Sequence, residues 1–220
     1  MNDNTLYIGF DFSINKPAMS ILWKDQINFF IWPLSQRKND LQLFLDNDIY
    51  SMPRGLEAIS PKKYTASELT KIHTERSKQL ADLIVDTLQK FLQDHNISES
   101  EEIFIATEGL SYGSSGDATL NLATYKGVLL VKLIENFNVK ELYTFSPISM
   151  KALAGCSSKE KRNDKNAMIE AFRKDYFKNE HKFHKNIKDF IKKKNYAQGV
   201  DDITDSYWVL KKMLQELGKI

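Results

Sequence analysis

The stretch from Leu6 to Ile21, LYIGFDFSINKPAMSI, sets the architecture of this chain. An apolar, β-prone run ends at Asp11, turn-forming residues follow, and a second apolar run begins at Ala18. The pattern predicts two antiparallel strands with an acid near the end of the first. Because a carboxylate in a strand is costly to bury without a partner, Asp11 is either the ligand of a cation or a turn cap that bonds its own backbone.

Composition places the chain among ordinary globular proteins. It has 220 residues, of which 42% are hydrophobic and 27% charged. The sequence has no run of about 18 apolar residues, so no membrane span is predicted. The first four residues, MNDN, lack the features of a signal peptide. The one cysteine, Cys156, excludes an internal disulfide and a cysteine zinc cluster. We therefore expect a cytoplasmic protein.

Charge is distributed unevenly along the chain. The total is +2, but residues 151–198 contain 14 Lys and Arg against 6 Asp and Glu, a net +8, so the rest carries −6. A basic region beside an acidic one is expected where phosphates are bound by one part and metal ions by another. A solvated pair of basic helices would give the same composition.

Apolar periodicity predicts an α/β protein. Strands are expected at 6–12, 18–23, 27–32, 103–107 and 141–145, and helices at about 67–95, 119–137, 147–153, 164–177 and 202–217. Three antiparallel strands followed by strand–helix units predict a mixed five-stranded sheet with helices on both faces. We expect one domain, residues 1–220, with an irregular insertion at about 34–66 and a basic helical insertion at about 151–198.

Four acids are expected at the ends of core elements. Asp11 lies on the first strand, Glu108 follows the fourth, and Asp202 and Asp205 open the last helix on one face. Separate carboxylates on rigid elements are the ligands that two Mg²⁺ or Mn²⁺ ions require for phosphodiester hydrolysis. For the helix pair taken alone, capping and the helix dipole would suffice. Asp201 is expected to point elsewhere.

The order and spacing of these motifs resemble the RuvC-like Holliday junction resolvases of the RNase H-like superfamily. That family has an acid on the first strand, a glutamate after the fourth, and D-x-x-D at the start of the last helix. Asp11, Glu108 and the D-I-T-D of 202–205 match. DATLNLATYKGV at 117–128 resembles the helix after the glutamate, and SPISMK at 146–151, with Lys165, resembles a segment whose lysines meet DNA.

The sequence also departs from that family. Phe12-Ser13 stands where bacterial members have Pro-Gly, and NKPA at 15–18 is closer to a phage and poxvirus-like branch. For a phage or viral protein, the compartment would be the host cytoplasm.

The resemblance implies a magnesium-dependent, structure-selective DNA endonuclease that acts in recombination. Asp11, Glu108, Asp202 and Asp205 would be the catalytic residues and would bind two Mg²⁺, with Mn²⁺ as a substitute. The partners implied are branched DNA, chiefly four-way junctions, and a second copy of the chain, with no membrane. The implied DNA-binding residues are Lys151, Lys165, Tyr112, Ser111, Lys161 and Arg162.

Two other classes fit parts of the sequence. A non-catalytic module that binds branched DNA would need the fold but not the four acids. An ATP-binding kinase of the actin-like superfamily would share the first three strands and their acid. The kinase would also need a second Asp-Gly phosphate loop and a glycine-rich adenosine motif, and neither appears in the sequence.

Overall fold

The computed structural model describes residues 4–46, 49–110, 116–158, 165–178 and 199–220, without the side chains of 176–178. The strands are β1 (Leu6–Asp11), β2 (Ala18–Trp23), β3 (Gln26–Ile31), β4 (Ile49–Ser51), β5 (Ile103–Glu108) and β6 (Val139–Phe145). The helices are α1 (Lys38–Leu45), α2 (Ala66–Asp94), α3 (Gly116–Asn136), α4 (Pro147–Leu153), α5 (Lys165–Lys178) and α6 (Val200–Glu216), with a 3₁₀ turn at Pro61–Lys63. No helix in these ranges could cross a membrane.

The strands form one mixed sheet in the order β4-β3-β2-β1-β5-β6. The first three strands pair antiparallel, and β5 and β6 extend the sheet parallel to β1. The predicted α/β class and strand directions are confirmed. The predicted count of five strands is wrong, because Ile49–Ser51 pairs parallel with β3 as a sixth. A strand of three residues is too short for alternation to reveal it in the sequence.

Helices cover both faces of the sheet, as expected. The pleat of β1 turns Leu6, Ile8 and Phe10 toward a core built with α2 and α3. Tyr7 faces a second core, which α5 and α6 contribute to. Asp11 follows the same alternation as Tyr7, so its side chain lies on the α6 side of the sheet.

Close contact between β1 and α6 depends on small residues. A Cβ on Gly9 would lie 2.5 Å from both the backbone N of Leu210 and the backbone O of Ser206, so only glycine lets the helix lie at this distance. The buried hydroxyl of Ser20, on the neighbouring strand β2, forms a 2.7 Å hydrogen bond with the hydroxyl of Ser206 on α6. These contacts hold α6 across the middle of the sheet.

The segment 34–66 is more regular than predicted. It contains α1 and β4, and residues after β4 continue to pair with the chain after β3: the backbone N–H of Met52 donates to Ile31 and that of Arg54 to Pro33, both at 2.9 Å. The predicted basic insertion extends over residues outside the described ranges. Its extent, and the single-domain assignment, stay predictions.

Candidate active site

Asp11 and Glu108 end two adjacent parallel strands. Phe10 pairs with Thr107 in the β1–β5 register, so the next residue of each strand emerges at the same edge of the sheet. Asp11 is 8% exposed and Glu108 is partly buried. The side chains of Asp11 and Glu108 lie within hydrogen-bonding reach of each other, which raises the pKa of Asp11 and links the two strand ends.

Helix α6 brings the other two acids to this edge. The chain enters the helix through Gly199, whose φ of 105° suits glycine and where a Cβ would lie 2.5 Å from Cδ1 of Ile31. Asp202 lies in the first turn and Asp205 one turn later, on the same side. The structure therefore brings together all four predicted acids, contributed by β1, β5 and α6.

Burial raises the pKa of every acid in the cluster, and repulsion between carboxylates adds to the shift for Asp11, Asp202 and Asp205. Burial raises the pKa of Asp11 well above its ordinary value, and the charges of Asp205, Asp202 and Glu108 raise it further. The pKa of Asp202 rises to about 6, chiefly through burial, and that of Asp205 to about 7, through burial and then the charge of Glu108. These carboxyls resist ionisation unless positive charge is supplied.

Several lysines supply positive charge around the cluster. Burial raises the pKa of Glu108, while the nearby charges of Lys151 and Lys126 lower it. The ammonium group of Lys126 donates to the backbone oxygen of Glu108 at 2.8 Å. Lys151, predicted from the sequence to meet DNA, thus lies on the Glu108 side of the site.

A second group of lysines lies at the start of α6. Lys16 Nζ is 2.9 Å from Asp202 Oδ2 and 3.7 Å from Asp201 Oδ1. Lys165 Nζ donates to Asp201 Oδ2 at 2.6 Å. Although burial raises the pKa of Asp201, the two lysines lower it to about 2. The pKa of Asp201 therefore lies well below those of Asp202 and Asp205.

The loop that carries Lys16 is held by the 34–66 segment. The guanidinium of Arg54 donates to the backbone oxygens of Ile14 at 2.5 Å and Asn15 at 3.2 Å. Within the loop, the backbone N–H of Lys16 donates to Ser13 Oγ at 2.9 Å. Burial lowers the pKa of Arg54 to about 10. Arg54 therefore fixes the backbone on the N-terminal side of Lys16.

The acids suit a hard divalent cation. Carboxylate oxygens are the ligands that Mg²⁺ and Mn²⁺ prefer, and a cation between them would offset the repulsion that raises their pKa values. In the described ranges, however, no three His, Cys, Asp or Glu side chains are already gathered as a metal-binding group. We infer that the carboxylates are donors of the right kind and lie next to one another. Their mutual repulsion keeps them further apart than the ligands of a bound ion would be.

Four predicted DNA-binding residues, Ser111, Tyr112, Lys161 and Arg162, lie outside the described residues. Sequence reasoning missed Lys16, Lys126 and the part played by Asp201. Lys16 stands in the opening stretch, but nothing in the sequence connects it with a carboxylate on the last helix.

No protein-family model and no curated protein matches the sequence. Solved structures do resemble the fold. Thermus thermophilus RuvC in complex with a Holliday junction substrate has a TM-score of 0.50 at 11% identity, covering 98% of this chain and 97% of that one. Another Thermus thermophilus RuvC structure gives 0.50 at 13% identity, with 97% of each chain covered.

The yeast mitochondrial Holliday junction resolvase Ydc2 also has a TM-score of 0.50, at 14% identity, covering 99% of this chain and 80% of that one. The similarity spans nearly the whole chain, whereas the phage or poxvirus-like branch stays a prediction. At these identities the similarity establishes the fold alone. The chain has a RuvC-like fold.

Proposed function

We propose that this protein is a metal-dependent endonuclease that resolves four-way or other branched DNA junctions. One observation carries the proposal: on a RuvC-like fold, four carboxylates from β1, β5 and α6 converge at one edge of the sheet, close enough that the charges of the other three raise the pKa of Asp11. A structural role would not require so much repulsion in one place.

Asp11, Glu108, Asp202 and Asp205 would hold two Mg²⁺ ions, or Mn²⁺ in their place. The ions would supply Lewis-acid activation of water and stabilisation of the leaving oxygen. In the reaction, the water oxygen forms a bond to phosphorus, one P–O bond of the phosphodiester breaks, and a proton passes to the leaving oxygen. The chain's own carboxylates fix the site on rigid elements, which such positioning requires.

Basic residues around the acids would bind the DNA backbone. Lys151 lies near Glu108 and Lys165 near Asp201, on either side of the carboxylates. We extend this surface to Ser111, Tyr112, Lys161 and Arg162, and to the basic region 151–198. Contacts of this kind position a duplex without reading its sequence.

We also propose that the enzyme is a homodimer, since a two-fold junction is cut symmetrically by a two-fold assembly. Helix α3 supports this proposal, because Leu120, Val131 and Ile134 are all more than half exposed and lie on one side of the helix. An apolar stripe of this kind fits a second copy better than it fits water.

A labelled four-way junction, incubated with and without Mg²⁺, tests the function. We expect magnesium-dependent nicking by the wild type, and a loss of at least about 100-fold for Asp11→Asn and Glu108→Gln. Asp94→Asn and Glu99→Gln, at exposed positions at and beyond the end of α2, are matched controls that should cleave normally. Full cleavage by either active-site variant would refute the assignment.

The alternative with some support is a non-catalytic module for branched DNA, because no three acids in the described ranges form a ready metal-binding group. Junction binding without cleavage by the wild type, in Mg²⁺ or Mn²⁺, would favour that alternative. A kinase of the actin-like type requires two lobes, and the described strands form one sheet.

A further inference from the structure

Two ammonium groups from distant parts of the chain meet one carboxylate beside the acid cluster. Lys16, from the loop between β1 and β2, lies 3.7 Å from Asp201 Oδ1. Lys165, at the start of α5, lies 2.6 Å from Asp201 Oδ2. Each carboxylate oxygen of Asp201 therefore has its own lysine. We call this arrangement the lysine fork.

Asp201 contacts two lysines from different parts of the chain, Lys16 and Lys165. Adjacent residues on a helix project about 100° apart, but the side chains of Asp201 and Asp202 both contact Lys16 and interact with each other. The carboxylates that act on Asp11 are those of Asp205, Asp202 and Glu108. Asp201 raises the pKa of Asp202 and Asp205 through its charge, and it is also in contact with both Lys16 and Lys165.

The lysine fork contributes little to the free energy of unfolding. The Lys165 side chain is 78% exposed, and ion pairs between exposed side chains contribute little. What the fork does provide is orientation, because a long lysine side chain that is already held in place loses less freedom when it binds a ligand. The ligand that two adjacent ammonium groups bind is an anion with several oxygens, such as a phosphodiester.

We propose that Asp201 is a positioning residue that holds Lys16 and Lys165 as a two-lysine subsite for a DNA phosphate beside the catalytic carboxylates. The proposal rests on the proposed function. Asp201 would also keep Lys16 in place if Asp202 bound a cation, because Lys16 contacts both carboxylates. Arg54 supports the same geometry by fixing the backbone at Ile14 and Asn15.

The variant Asp201→Asn separates positioning from simple charge. If Asp201 only added negative charge near the DNA, its removal would strengthen binding and leave the rate equal or higher. Positioning predicts a fall in kcat of about 10-fold, with junction affinity unchanged or tighter when measured in an Asp11→Asn background that blocks cleavage. An unchanged or raised kcat would overturn the proposal.

A variant cycle isolates the lysines. In a protein that carries Lys16→Ala and Lys165→Ala, adding Asp201→Asn should change kcat by less than about 2-fold, because the groups it positions are gone. A further loss of about 10-fold in that background would show that Asp201 acts by another route, and would overturn the proposal.

A readout without cleavage keeps the lysine fork separate from the proposed function. With ¹⁵N-labelled lysine, NMR should show ammonium signals of Lys16 and Lys165 that shift on titration with dimethyl phosphate, a simple phosphodiester, in the wild type but not in Asp201→Asn. Asp94→Asn is the matched control and should respond as the wild type does. If the wild type shows these shifts but cleaves no junction, the function fails and the subsite stands. If no shift occurs, the subsite fails.

Discussion

Gly9→Ala tests whether the approach of α6 to β1 sets the active site. The added Cβ would lie 2.5 Å from the backbone N of Leu210 and the backbone O of Ser206, and 2.7 Å from Leu210 Cβ. Ordinary contact begins at 3.4 Å, so the helix or the strand must move by the difference, about 0.9 Å. Backbone atoms form two of the three contacts, so a change of rotamer cannot relieve the clash.

Two effects of different size should follow. Overpacking of a well-packed core costs about 1–3 kcal/mol, which urea unfolding monitored by circular dichroism would measure. The same shift moves Asp202 and Asp205 relative to Asp11, and a displacement of about 1 Å at a catalytic site costs on the order of 100-fold in rate. Junction cleavage should therefore fall far more than the folded fraction at assay temperature.

The control is Gly116→Ala at the start of α3, where an added Cβ meets nothing within 4 Å. It should leave the urea midpoint equal or slightly higher, since alanine favours the helix over glycine. If Gly9→Ala unfolds at the wild-type urea concentration and cleaves at the wild-type rate, the close approach does not hold the site, and our reasoning about α6 is wrong.

Three further predictions concern the core, the acids and α3. Ser206→Ala leaves the fully buried Ser20 hydroxyl without its 2.7 Å partner and should cost about 1–3 kcal/mol in urea unfolding. The folded protein raises the pKa of Asp202 to about 6 and that of Asp205 to about 7, from an ordinary value of 3.8. The folded state therefore binds more protons than the unfolded state between about pH 4 and 7, and the free energy of unfolding of the metal-free protein should fall as the pH rises through this window. Val131→Asp should convert the proposed dimer to a monomer in analytical ultracentrifugation, because it places a charge in the apolar stripe.

Each of these has an outcome that contradicts it. The double variant Ser20→Ala/Ser206→Ala should recover part of the loss, since both partners are then absent; a doubled loss would count against the hydrogen bond. Asp202→Asn should flatten the fall in stability with pH, and an unchanged slope would remove Asp202 from the cause. Ile148→Asp, at a similarly exposed position on α4, should leave the oligomeric state unchanged, whereas monomers from both variants would point to general destabilisation.

Local patterns in the sequence were sufficient for five of the six described strands and for the positions of the four acids. Alternation and turn residues located the three antiparallel strands, because a strand's pleat fixes which side chains share a face. Asp11 and Glu108 were identifiable because each ends an apolar run, and parallel strands bring their carboxyl ends to one edge. Asp202 and Asp205 followed from the spacing of residues on a helix.

Only the tertiary structure could show contacts between residues far apart in sequence. No local pattern reveals that Gly9 meets Ser206 and Leu210, or that Lys16 lies beside Asp201 and Asp202. The sixth strand was hidden because three residues carry too little periodicity. Most of the elements, and the acids at their ends, were predictable because they depend on neighbours along the chain. Packing decided which cations face those acids, since an ion pair depends on distance in space.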